Sequence, residues 1–165
     1  MTHDIQKAEY NDLLREIKER VRASQYEALK AVNKELIGLY WDIGKMIVER
    51  QKKEGWGKAI IETLAGDLQR EFPGMRGFST QNLWYMRQFY LEYSGNKNLQ
   101  PLVGEISWAK HLAIMAKCKD QLEREFYVRM AKEYGWTKSK EKILGQRQCC
   151  LCRFIFRSRK VHYPG

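Results

Sequence analysis

The first 72 residues contain no proline; Pro73, Pro101 and Pro164 are the only three in the chain. That stretch therefore lacks the residue that most effectively breaks a helix, and its apolar residues recur at helical spacing. Leu13, Leu14, Ile17 and Val21 predict a helix over roughly Asn11 to Val21. Leu29, Val32, Leu36, Tyr40, Ile43 and Ile47 step by three or four, with Lys30, Asn33, Lys34, Glu35 and Lys45 between them. This stripe predicts a second helix from Ser24 to Lys53, roughly 45 Å long. Gly38 and Gly44 each weaken it by on the order of 1 kcal/mol against Ala. They are either tolerated or there to let another helix come close.

Beyond the Gly55-Trp56-Gly57 break, Ile60, Ile61, Leu64 and Leu68 mark a third helix that closes near Phe72. Pro73-Gly74 and Gly77 make a turn. Ser79 is a good N-cap for the next helix, on which Leu83, Met86, Tyr90 and Tyr93 share one face. Gly95 to Gly104 reads as a polar loop. Ser107 opens a short helix through Ala113 and Ala116. A last helix runs from about Asp120 to Tyr134 with Leu122, Phe126 and Met130 on its stripe. No alternating Val/Ile/Thr run demands a strand. The expected fold is all-α: a multi-helix bundle with one long helix and a helix-turn-helix-like pair.

The formal charge of +10 is unevenly placed. Residues 1–137 hold 22 Lys and Arg against 19 Asp and Glu, whereas residues 138–165 hold 8 against 1. The body is only mildly basic, so composition is a weak argument for nucleic acid. The expected division is a helical domain over 1–137 and a basic, cysteine-containing tail over 138–165, poorly ordered. No apolar run near 18 residues predicts a membrane span, and no secretory signal is visible. With Cys149, Cys150 and Cys152 crowded together, a disulfide framework is not expected. The expected compartment is a reducing cytoplasm.

The chemistry-bearing motifs are few. Lys58–Glu71 and Ser79–Tyr93 form a helix pair across a connection of about seven residues, longer than the usual helix-turn-helix turn. As a recognition helix the second would present Thr80, Gln81, Asn82, Trp84, Arg87 and Gln88, with Ser79 at its cap and Arg76 in the turn. Gln and Asn can pair bidentately with adenine, Arg with guanine or phosphate. The competing reading is ordinary bundle packing. Trp84, Tyr85, Phe89, Tyr90 and Tyr93 could stack on bases; most belong in a core, with Trp84 and Tyr85 open to either role. Cys149, Cys150, Cys152 and His162 offer four metal-ligand types at a spacing that fits no paired zinc site. A lone His111 reads as structural. No nucleophile elbow, metalloprotease helix, phosphate loop or acidic nuclease strand is present. No cofactor, metal or catalytic residue is expected.

Several blocks resemble a known family. Leu39-Tyr40-Trp41-Asp42-Ile43-Gly44-Lys45, Gly55-Trp56-Gly57, Gly77-Phe78-Ser79 and Asn82 through Tyr90 carry the likeness, which resumes at Ile106-Ser107-Trp108, Lys117 to Asp120, Arg124 to Tyr127 and Gly135-Trp136-Thr137. Over roughly Tyr10 to Thr137 the chain resembles the N-terminal domain of bacterial YhcG-type proteins. The resemblance implies a helix-turn-helix-like module followed by a PD-(D/E)xK nuclease domain. After Thr137 the likeness lapses, and the chain reads as a truncated or frame-shifted copy lacking that domain. The expectation is a non-enzymatic DNA-binding or target-recognition module, with an oligomerisation or protein-interaction module as the alternative. Expected partners are DNA and a second copy or a nuclease partner, with no membrane and no small-molecule substrate.

Overall fold

A computed structural model describes residues 2–135. The break expected near residue 22 does not occur: one helix, α1, runs over Thr2–Glu54. Arg22-Ala23-Ser24-Gln25 holds no Gly or Pro, so nothing local stops it. It ends at Gly55, whose φ of 68° puts the chain in the left-handed region while its N–H donates to Gln51 O. Then follow α2 (Lys58–Glu71), α3 (Thr80–Tyr93), a 3-10 helix (Gln100–Glu105), α4 (Trp108–Lys117) and α5 (Gln121–Glu133). No strand occurs among the described residues, so the domain is all-α.

The second half of α1 is the wall on which the bundle is built, and α3 lies directly on it. A Cβ placed on Gly44 would fall 2.1 Å from the Met86 carbonyl oxygen. Gly44 therefore lets two backbones touch, whereas Gly38 faces open space and is merely tolerated. Two apolar clusters result. One joins α1, α2 and α3 through Tyr40, Ile47, Ile61, Leu83 and Met86. The other joins α1, α3, α4 and α5 through Ile37, Phe89, Tyr93, Ile114 and Val128. Trp108 packs on both. Phe89 is the hub, with ring contacts to Trp41, Tyr93, Trp108 and His111 at centroid distances of 4.7–5.6 Å.

Three expectations are corrected. The segment read as a polar loop contains the 3-10 helix and a fully buried Leu99, because Leu99, Leu102 and Val103 cover the second cluster. Asn33 of α1 clamps that segment, donating to the carbonyls of Gly104 and Ile106. On α5 the buried face is Arg124, Val128 and Ala131, while Leu122 faces solvent. Leu29 and Val32, placed on the core stripe, are 70% and 66% exposed because the bundle begins only at about Asn33. The tail's Cys149, Cys150, Cys152 and His162 lie outside the described residues.

Two polar groups are sealed in. Arg124 pairs with Glu92 and donates from Nε to Cys118 O at 3.1 Å, which links α3 to α5. His111 is wholly buried, its Nε2 2.8 Å from Val103 O. A carbonyl only accepts, so Nε2 carries the proton, and Nδ1, which has no hydrogen-bond partner among the described residues, is bare. Burial lowers its pKa to about 4.

Candidate nucleic-acid interface at the start of α3

The connection between α2 and α3 is built to hold one shape. Met75 N–H closes a turn on Phe72 O at 3.0 Å. Gly77 has φ 118°, and a Cβ there would lie 2.4 Å from the Tyr40 hydroxyl, so glycine is required twice over. Phe78 is buried against the first cluster, and Gln69 of α2 donates to its carbonyl at 2.9 Å. Ser79 then caps α3, its Oγ accepting from Asn82 N–H. Helix geometry leaves the amides of Thr80 and Gln81 without intrahelical acceptors.

Asn82, placed by its type among base-reading residues, is bonded inward. Its Nδ2 donates to Gly77 O at 2.6 Å, its Oδ1 accepts from Trp108 Nε1 at 2.8 Å, and the Tyr40 hydroxyl bonds to the same side chain. Burial raises the Tyr40 pKa, the bond to Asn82 opposing. Asn82 thus fixes the turn, α1 and α4 to one another. Further along α3, Arg87 donates to Gln51 of α1 and lies over the Trp84 ring at 5.6 Å. Gln88 donates to Glu92 on its own helix at 3.2 Å. Trp84 is half-buried against the first cluster.

The eight sequence-selected residues therefore divide. Arg76, Ser79 and Gln81 are exposed and Thr80 is half-exposed beside them. Asn82, Trp84, Arg87 and Gln88 are engaged within the protein. Arg76, Ser79 and Gln81 share the rim of an open cleft of about 300 Å³, with Tyr85, Trp108 and Leu112 also lining it. Arg76 makes no salt bridge among the described residues, in contrast to Arg70, which pairs with Asp67. Sequence reading missed Tyr40, Trp108 and Leu112 as cleft residues. They arrive from α1 and α4, and nothing in linear spacing announces that.

Among the described residues, no three His, Cys, Asp or Glu side chains converge as ligands for a metal ion. Cys118 is buried and its pKa is pushed up to about 12, chiefly by burial and then by the Glu123 charge, which keeps it a thiol. No helix among the described residues is long and apolar enough to cross a membrane.

Comparison with known proteins places this architecture. The chain is 32% identical over 91 residues to a protein of Escherichia coli K12 named "Putative nuclease YhcG", a match spanning 53% of this chain and 24% of that protein. The chain thus covers about a quarter of that relative's length. No solved structure matches. The family described as the DUF1016 N-terminal domain matches residues 16–146, most of the chain, taking in the second half of α1, the α2–α3 connection and the cleft. The chain belongs to the DUF1016 N-terminal domain family.

Proposed function

We propose that residues 2–135 form a DNA-recognition module of a nuclease family, contacting duplex DNA with the turn before α3 and its first helical turn. The observation that carries this is the set of Arg76, Ser79, Thr80 and Gln81 around an open helix start whose backbone is held rigid from behind by Gly77 and Asn82. A helix N-terminus carries partial positive charge and free amides suited to phosphate. Arg76 adds a full charge, and Gln81 is the side chain able to reach a base edge. The reading surface is narrower than residue types imply, because Asn82, Arg87 and Gln88 are already bonded within the protein. On this reading the module recognises DNA, and the cutting chemistry named for its relative lies outside it.

The test is binding of the purified chain to a short duplex at 50 and at 200 mM salt. Each phosphate neutralised adds about 0.9 to the logarithmic salt slope. Arg76→Ala is expected to lower the slope by about one. Residues 138–165 are strongly basic, so the comparison between variants is the readout and not the raw affinity. An affinity and slope unchanged by both Arg76→Ala and Gln81→Ala would overturn the assignment.

A further inference from the structure

The first half of α1 stands away from the bundle. Every described side chain from Lys7 to Val32, Leu14 excepted, is exposed. Tyr10 is 63%, Ile17 50% and Val21 48% exposed. Helices owe most of their stability in proteins to packing of an apolar face, and a contiguous exposed apolar strip marks an interaction surface.

The strip has a seam. Tyr10, Leu14, Ile17, Val21, Ser24, Ala28 and Ala31 alternate in steps of four and three, the spacing of a coiled-coil seam. At 100° per residue this seam lies roughly 160° around α1 from Ile37, Tyr40, Ile47 and Val48, which face the bundle. A second helix can therefore dock there without meeting α2 to α5.

The seam fits itself in one direction. Set antiparallel about a point between Arg22 and Ala23, large residues of one helix meet small residues of the other: Leu14 faces Ala31, Ile17 faces Ala28 and Val21 faces Ser24, each pair occurring twice. The same register sets Arg20 of one helix beside Glu27 of the other, again twice. A parallel pairing stacks Leu14 on Leu14 and Ala28 on Ala28, puts Arg20 near Gln25 and Glu27 near Val32, and makes no ion pair. We infer that the chain forms a two-fold homodimer through an antiparallel pairing of residues 10–35 of α1, seamed by Leu14, Ile17 and Val21 and registered by Arg20 and Glu27.

The experiment is sedimentation equilibrium of the full chain across micromolar concentrations, with four proteins: wild type, Arg20→Glu, Glu27→Arg and the double reversal. Arg20 and Glu27 are exposed, and the thermal transition of each variant checks that the domain stays folded. Wild type is expected at twice the chain mass. Each single reversal is expected to weaken association about tenfold or more, and the double reversal to restore it. Val21→Asp is expected to abolish association. A wild-type monomer overturns the proposal and leaves the strip to a different chain. A dimer that Val21→Asp leaves intact, or whose single reversals are not rescued by the double, overturns the antiparallel register.

Discussion

Gly38 and Gly44 lie on the same helix, six residues apart, and the same substitution is expected to act on them in opposite directions. Replacing Gly by Ala inside a helix gains about 1 kcal/mol from backbone entropy alone. At Gly38 a new Cβ meets nothing within 4 Å, so Gly38→Ala should realise that gain and raise the melting temperature by roughly 2–4 °C for a chain this size. At Gly44 the same Cβ would sit 2.1 Å from the Met86 carbonyl oxygen, 2.7 Å from its carbon and 3.1 Å from Tyr90 Cβ. Two of these three atoms are α3 backbone and cannot swing aside. The helices must separate by about 1 Å, at an overpacking cost of roughly 1–3 kcal/mol. Separation also opens the seam over Leu83, Met86 and Phe89, so the propensity gain should be outweighed. We expect Gly44→Ala to be destabilised by up to about 2 kcal/mol net, and to lie about 1–3 kcal/mol below Gly38→Ala. Thermal and urea unfolding followed by far-ultraviolet circular dichroism reads both variants. If Gly44→Ala proves as stable as Gly38→Ala, α3 does not rest on α1 at this point and the packing described above is wrong.

Two further outcomes concern buried polar groups. His111 has its pKa held near 4 in the folded state against an ordinary 6.5. The unfolded chain therefore binds the extra proton first, and stability should fall as pH drops from about 6.5 to about 4, by up to about 3 kcal/mol. Urea midpoints of wild type and His111→Leu over this range should converge at low pH, and parallel curves would refute the assignment. Asn82→Ala should cost about 1–3 kcal/mol by orphaning Trp108 Nε1 and Gly77 O, whereas Gln81→Ala should stay within about 0.5 kcal/mol. Equal melting temperatures for the two would contradict the division of the α3 residues into reading and holding.

How much of this was legible follows from particular residues. The positions of α2, α3, α4 and α5 were readable because apolar spacing and the turn residues around Pro73, Gly77, Ser107 and Asp120 agree. Apolar spacing divides α1 in two where the structure has one helix, and the reason is physical. Leu13, Ile17 and Val21 lie on one face, and Leu36, Tyr40 and Ile47 on another roughly 120° away. A stripe that changes face reads as a chain that changes helix. It signals one helix with two faces, one covered by its own bundle and one not. The 3-10 helix was hidden because Leu99, Leu102 and Val103 are set among Gly, Asn and Lys. Asn82 shows the limit at the candidate site. Its side chain suits a base edge or a buried pin equally well, and what decides is Trp108, 26 positions away.

The unbroken run of α1 from Thr2 to Glu54 has a consequence for how such a chain can change. A helix has no slack, so the azimuth of its protruding half relative to the cleft is a matter of counting. One residue inserted in the stretch from Lys30 to Asn33, ahead of the Asn33 clamp on Gly104 and Ile106, would turn everything before it by about 100° and lengthen the spar by about 1.5 Å, with the bundle's contacts from Asn33 onward intact. Eighteen inserted residues would complete five turns and restore the original bearing about 27 Å farther out. Insertions and deletions in that short stretch act as a dial, and the tolerated lengths should come in whole turns.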